Sequence, residues 1–319
     1  MTKLLQNRIA ESSWLLPCMT IITMMVWLLC GLIENGWWGQ LVCFATTTYL
    51  MIELSNSNAL LRVRSRMVCS TFLALSCASC FLFGLLSGGI AQLCTAAATI
   101  ILFHNYQDKS SPGWTFYAFL CTGFSTLIFV QTFYLVPIIW LLMATQLQSL
   151  SWRSWFASLI ALFTPYWFAS VYFIFQKDFT PLAHHFAQLT YLPFPYDYTS
   201  LSVSQIAAFI LVVILTLMGI VHSWLRSFED KIRIRQLYGY CTTMSFVLIF
   251  FIILQPQHYY ILMRMLLVYT SPLIAHFLTL THSKATNILF IISLALTFCL
   301  TIFNLVAPFI ASWTGLSIF

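Results

Sequence analysis

With 319 residues, of which 61% are hydrophobic and only 7% charged, this chain has too few charged side chains to cover a water-soluble protein of its size. Soluble domains carry about 25% charged residues. The composition therefore excludes a soluble enzyme or binding domain and indicates a polytopic membrane protein. The apolar runs are continuous and close to the ~20 residues that a helix needs to cross a bilayer, which favours an all-α transmembrane helical bundle over a β-barrel.

The apolar runs predict eleven transmembrane helices in a single transmembrane domain that covers residues 1–319. Their ranges are 14–33, 37–54, 67–86, 88–104, 114–130, 132–148, 154–175, 205–225, 239–254, 258–279 and 286–311. Two arrangements are open between residues 113 and 148. The chain either forms two helices that turn at Gln131 or one long helix with a kink near Pro137.

The basic residues predict the orientation of these helices. With a cytoplasmic N-terminus, twelve of the fourteen Lys and Arg residues lie in cytoplasmic segments, Lys177 lies outside and Arg264 lies within a span. The positive-inside rule favours this arrangement, which puts the C-terminus outside. The formal net charge of +6 then reflects topology, so we expect membrane lipids and not nucleic acid as partners. We expect the bacterial inner (cytoplasmic) membrane as the location.

Arg264 lies inside the tenth apolar run, where a charged side chain costs roughly 2.5 kcal/mol or more near the bilayer centre. In the predicted orientation it belongs to the outer half of the membrane, a short way below His258, Tyr259 and Tyr260. Three explanations are open. The guanidinium reaches the outer headgroups, pairs with a polar group of another span, or lines a cavity and binds a phosphate, whose oxygens its planar donors match. The third makes Arg264, His258, Tyr259 and Tyr260 a substrate-binding site.

Acidic residues on the predicted outer face are candidate catalytic groups, because a carboxylate there can act as general base for a hydroxyl acceptor. Glu34 lies in the first outside turn, and Asp178 and Asp197 lie in the long outside loop 176–204. Each of them also has a structural interpretation as a turn or cap residue. We expect the first half of the loop to form a short interfacial helix and the second half an extended aromatic segment.

The remaining polar residues near span ends have ordinary structural explanations. Four histidines near predicted cytoplasmic ends are typical helix-end residues: His104, His222, His276 and His282. The basic run RVRSR at 62–66 is explained by anchoring against anionic lipid headgroups. The chain has no Walker loop, HExxH, GxSxG or dinucleotide fingerprint, and its ten cysteines fall in or beside apolar runs. We therefore expect no cofactor and no bound metal.

Residues 117–168, preceded by SNALLRVRSR at 57–66, resemble an uncharacterised family of polytopic bacterial inner-membrane proteins. The resemblance is carried by a Ser-Trp-Arg-x-Trp turn, here at 151–155, and by a Thr-Pro-Tyr span end at 164–166. More distantly, the order of spans and loops is similar to that of multi-span glycosyltransferases that use polyisoprenoid-phosphate sugars at the outer face. That resemblance implies an acidic catalytic residue in the first outside loop, and Glu34 is the matching position.

Three functions follow from these observations. The first is a glycosyltransferase-like protein that binds or acts on a lipid-linked, phosphate-bearing substrate at the outer face, for which a polyisoprenoid-phosphate-linked sugar is a candidate. The second is a transporter or lipid flippase. The third is a non-catalytic membrane scaffold of an envelope complex. The few polar residues within the spans favour the first over an ion-coupled transporter, which usually buries acids near the midplane.

Overall fold

A computed structural model of the chain describes residues 5–63, 65–190, 198, 201–281 and 284–314. Over these residues the protein is all-α, as predicted, with thirteen α-helices. They are α1 (Leu5–Glu11), α2 (Leu15–Leu29), α3 (Trp38–Asn58), α4 (Met67–Ala78), α5 (Leu86–His104), α6 (Pro112–Ile128), α7 (Val136–Thr145), α8 (Trp152–Gln176), α9 (Thr180–Ala187), α10 (Val203–Leu225), α11 (Ile232–Leu254), α12 (Tyr259–Leu280) and α13 (Lys284–Thr314).

Six of the helices in the described ranges are long and apolar enough to cross a membrane, which makes this a multi-pass membrane protein. They are α5, α8, α10, α11, α12 and α13. The other five predicted spans coincide with helices that are shorter or less apolar. The 12 residues of α4, for example, reach about 18 Å at 1.5 Å per residue, against a hydrocarbon core of about 30 Å. The count of eleven spans and the sidedness of the termini stay predictions.

The chain packs into two compact units. Residues 1–89 and 197–319 form unit 1, and residues 90–196 form unit 2, so the boundary falls within α5. The single domain that the sequence suggested for residues 1–319 stays a prediction.

The central helix of unit 1 is α12. It packs against α4, α10 and α11, and 94% of an 18-residue stretch around it is buried inside the protein. A helix in this position meets protein and not lipid on every side, so it can carry polar side chains that find partners on its neighbours. This placement explains why Arg264 and His276 are tolerated in an otherwise apolar sequence.

Helices α10 and α12 run parallel in one constant register. The hydroxyl of Tyr259 meets the carbonyl of Gln205, and His276 meets His222, so both contacts join residues 54 positions apart. Between them the helices approach so closely that a Cβ on Gly219 would lie 2.6 Å from the carbonyl oxygen of Leu273. Glycine allows this crossing because it has no side chain, as small residues do at membrane helix contacts generally. A capping box between Ser202 and Gln205 starts α10.

Unit 2 is built around the packing of α6 against α8. Gly123 of α6 lies against the backbone of α8, where an added Cβ would be 3.1 Å from both the carbonyl of Leu162 and the ring of Pro165. Ser151, the first residue of the Ser-Trp-Arg-x-Trp turn, caps α8 by accepting a hydrogen bond from the Ser154 amide at 3.2 Å.

The region 113–148 adopts the two-helix arrangement. Phe129 has an extended backbone and a 3-10 turn at Val130–Leu135 follows, so the chain reverses between α6 and α7 near the predicted Gln131. The rings of Phe119 and Trp140 are 6.4 Å apart on the two returning helices. A hydrogen bond of 2.8 Å from the Gln107 amide to the Leu147 carbonyl closes the open end of the hairpin.

The long loop begins with a short helix, as predicted. This helix is α9, and its N-terminus is preceded by Asp178. The predicted aromatic segment falls on residues 191–200, which lie outside the described residues except for Tyr198. The Tyr198 hydroxyl donates a 2.7 Å hydrogen bond to the carbonyl of Ile253 in unit 1.

Candidate functional site

The predicted phosphate-binding residues lie at the start of α12, where most of their polar groups are already engaged. The Tyr259 hydroxyl donates to the Gln205 carbonyl at 2.8 Å, and the Gln205 amide donates to the Tyr260 hydroxyl at 2.6 Å. His258 lies 3.3 Å from the Gln257 side chain. These bonds tie the N-terminal ends of α10 and α12 together.

Arg264 is buried inside unit 1. It is 3% exposed, and its guanidinium donates a hydrogen bond to the carbonyl of Leu82, the last residue of a 3-10 turn after α4. Carbonyls at helix ends lack partners within their own helix. The buried guanidinium of Arg264 therefore stabilises the point where the helical turn ends at Leu82. Gly88 and Gly89 leave room for the side chain, since a Cβ on either would lie 3.0 Å from Arg264 atoms.

Glu34 lies in an exposed turn at the same end of unit 1. The segment after this turn contacts the one that holds Arg264: the Gln40 amide donates to the Gly84 carbonyl at 3.1 Å, and Trp37 packs on Gly84. The structure thus brings the Glu34 turn beside the Leu82–Gly89 segment. The catalytic role of Glu34 and the phosphate-binding role of Arg264 stay predictions.

Asp178 belongs to unit 2 and has a capping geometry. Its carboxylate accepts hydrogen bonds from the Thr180 amide at 2.9 Å and the Thr180 hydroxyl at 2.6 Å, next to the start of α9. These bonds, that of the hydroxyl first, lower the pKa of Asp178. Asp197, the other acid of the loop, lies outside the described residues. A catalytic role for Asp178 stays a prediction as well.

At the opposite end of the α10–α12 pair, four side chains form a continuous hydrogen-bonded array, the histidine array. Arg62 Nε lies 2.6 Å from Asp230 Oδ1, and Asp230 Oδ2 lies 3.1 Å from His276 Nε2. His276 Nδ1 lies 3.1 Å from His222 Nδ1. His276 is fully buried and the Asp230 side chain is 2% exposed, so the array runs from the exposed Arg62 through two buried side chains to the half-buried His222.

Interactions with His276 and with Arg62, at the exposed edge of the array, keep Asp230 ionised. Burial acts to raise the pKa of Asp230, but hydrogen bonds from His276 and Arg62, together with the positive charge of Arg62, outweigh it and leave the pKa below its ordinary value. Hydrogen bonds from Arg62 and Arg226 likewise lower the pKa of the exposed Glu229. Glu229 pairs with both arginines, and its contact with Arg226 is 2.6 Å long.

Sequence reasoning missed the array because its members are far apart in the chain. His222 and His276 were interpreted separately as helix-end residues, and Arg62 as a lipid anchor. The signal that pairs them is the Gly219–Leu273 crossing, since each histidine comes three residues after one side of it. That pairing requires knowing that α10 and α12 are parallel neighbours.

Unit 1 also contains an apolar cavity of about 280 Å³ between α2, α4, α10, α12 and α13. Its walls are almost entirely hydrocarbon. They run along α13 from Phe290 to Leu305, and include Ile9 and Met67 at one end. Three exposed cations are close in sequence to lining residues at that end: Arg8 precedes Ile9, Arg66 precedes Met67, and Lys284 begins α13 six residues before Phe290.

No family model, curated protein or solved structure matches this chain. Membership in the inner-membrane family that the Ser-Trp-Arg-x-Trp turn suggested therefore stays a prediction, as does the similarity to glycosyltransferases.

Proposed function

We propose that this multi-pass membrane protein binds a lipid-linked, phosphate-bearing substrate in the apolar cavity of unit 1. The observation that supports the proposal is the combination of hydrocarbon walls with the three cations Arg8, Arg66 and Lys284 beside one end. Burial of an acyl or polyisoprenoid chain contributes about 0.8 kcal/mol per CH₂. Arginine and lysine near a membrane surface each contribute about 1 kcal/mol towards an anionic headgroup.

This proposal moves the phosphate from the predicted outer face to the other end of unit 1. The positive-inside rule assigns the segments of Arg8, Arg66 and Lys284 to the cytoplasmic side of a bacterial inner membrane. Glu34 lies in the turn that packs beside the far end of α4, away from Met67. The cavity therefore favours binding of the lipid-linked substrate over glycosyl transfer by Glu34, which is the narrower hypothesis.

A lipid flippase is the second candidate, favoured by the length of the cavity. The α13 wall from Phe290 to Leu305 extends roughly 22 Å at 1.5 Å per residue, most of the ~30 Å hydrocarbon core. A cavity of that length can guide a lipid chain while its headgroup changes sides.

Native mass spectrometry of the full chain in detergent tests the binding proposal. The probes are undecaprenyl phosphate, the phosphate-free polyprenol, and phosphatidylcholine. We expect undecaprenyl phosphate to bind at least about tenfold more tightly than the polyprenol, a difference of about 1.4 kcal/mol. Equal binding of all three probes would contradict a phosphate-recognising site.

Matched variants separate the headgroup contacts from the chain contacts. Joint substitution Arg8→Gln, Arg66→Gln and Lys284→Gln should remove the preference for phosphate, whereas the exposed cations of unit 2 serve as control in Lys109→Gln, Arg153→Gln and Lys177→Gln. Ser293→Trp fills the cavity and should abolish binding of both polyprenyl probes. Leu296→Trp, at a residue that is 52% exposed, should leave binding unchanged.

A further inference from the structure

We propose that Asp230, His276 and His222 form a single proton-binding site, in which the two imidazoles of the histidine array take up one proton together. The ligand of this site is the proton itself. The proposal does not depend on the lipid-linked substrate, because the array and the apolar cavity use different side chains.

The hydrogen bonds assign the protons of the neutral array. Asp230 accepts from Arg62 through Oδ1, and an ionised carboxylate has no proton to donate, so His276 must donate from Nε2 to Oδ2. The Nδ1 atom of a neutral His276 is then an acceptor. His222 must donate from its own Nδ1, which lies 3.1 Å away. Its Nε2 therefore carries a lone pair.

That lone pair is the entry point for a proton. Within the described residues, His222 Nε2 is buried and has no hydrogen-bond partner. A proton added there makes His222 cationic. Transfer of the Nδ1 proton from His222 to Nδ1 of His276 then moves the charge one ring inward. The bond that breaks is His222 Nδ1–H, the bond that forms is His276 Nδ1–H, and one proton has been added in total.

The surroundings favour the charge on His276 in the protonated state. The imidazolium would donate to ionised Asp230 on one side and to neutral His222 on the other, so both of its N–H groups have acceptors. A charge-assisted bond to a carboxylate is roughly twice as strong as a neutral one.

Charged and titratable side chains of the neighbouring elements also face the array. Arg226 and Glu229 lie at its outer edge with Arg62. Tyr238 of α11 packs its ring 4.7 Å from the His276 ring and donates its hydroxyl to the Leu60 carbonyl at 3.2 Å. In the part of the chain that the structure describes, no three His, Cys, Asp or Glu side chains are arranged to hold a metal ion.

Histidine NMR on the full chain tests the proposal. The protein is labelled with ¹⁵N in its imidazoles, incorporated into nanodiscs and titrated from pH 8 to pH 4, and His222→Gln and His276→Gln assign the signals. At pH 8 we expect the lone pair on Nε2 of His222 and on Nδ1 of His276. During acidification the signals of His222 and His276 should shift at one common midpoint.

Two variants distinguish a shared proton from a merely structural contact. Asp230→Asn removes the charge that stabilises the imidazolium, so the common midpoint should fall by about 1–3 pH units. In His276→Gln, His222 should titrate at a different pH from that in the wild type. His184→Gln should change nothing. Separate midpoints for His222 and His276, a proton on Nε2 of His222 at pH 8, or an unchanged His222 midpoint in His276→Gln would overturn the proposal.

Discussion

Hydrogen bonds hold α10 and α12 together at both ends of the pair, but the chemical groups that form these bonds differ between the two ends. At one end, Gln205 bonds to Tyr259 and Tyr260 through an amide, a carbonyl and hydroxyls, which are uncharged groups. At the other end, His222 and His276 meet each other, and an ionised carboxylate follows. The first end can only hold the helices together. The second can also change its charge, which is why we assign a proton-binding role to it.

The largest expected difference between the two ends comes from Asp230→Ala. Removal of one partner from a buried ion pair typically costs about 3–5 kcal/mol. Here the buried His276 Nε2 loses its acceptor, and Arg62 keeps only its contact with the exposed Glu229. We expect a large drop in the melting temperature of the detergent-solubilised protein. Glu229→Gln is the control. It removes an exposed acid of the same cluster, and a drop as large as that of Asp230→Ala would show that burial does not decide the effect.

A smaller loss of stability should follow from Gly219→Ala, which acts three residues before His222, near the histidine end of the pair. The added Cβ would lie 2.6 Å from the Leu273 carbonyl, so the helices must separate. Overpacking of this kind costs about 1–3 kcal/mol. The melting temperature should fall, and the ¹⁵N signals of both histidines should move. Gly113→Ala, where nothing lies within 4 Å of the new Cβ, should do neither.

Protonation of Asp230 at low pH should weaken the histidine end only. The pKa of Asp230 is below its ordinary value in the folded protein. Its stabilising contribution is therefore present above the pKa of an unfolded-chain aspartate, about 3.9, and is lost as the pH falls through the folded-state pKa. Melting temperatures measured between pH 7 and pH 3 should therefore decline less steeply for Asp230→Asn than for the wild type. If the melting temperatures of Asp230→Asn and the wild type declined equally with pH, Asp230 would not be the source of the acid sensitivity.

The smallest effect should come from Tyr259→Phe at the neutral end. The substitution removes the hydrogen bond to the Gln205 carbonyl, worth about 1 kcal/mol, without opening a cavity. The drop in melting temperature should be the same at pH 7 and pH 4. A loss that grows with acidity would contradict the contrast between the two ends.

The part of the structure that the sequence predicts is the part in which interacting residues lie close together along the chain. Local hydrophobicity predicted a helix at every apolar run, and the first half of the long loop was expected to form a short helix, which is α9. The role of Arg264 could not be read in the same way, because its partner is the backbone carbonyl of Leu82, which leaves no trace in side-chain identity. The histidine array depends on which helices are neighbours, so hydropathy alone could not reveal it.

The common offset of 54 residues has a mechanical consequence. Because hydrogen bonds join α10 and α12 at both ends of the pair, one helix cannot slide along the other without breaking both contacts. A slide of one helical turn would be about 5.4 Å. Axial movement of α12 past α10 would therefore disengage Tyr259 and His276 in the same event. Proton uptake that strengthens the contact between His222 and His276 would therefore oppose sliding of the whole α12 helix along α10.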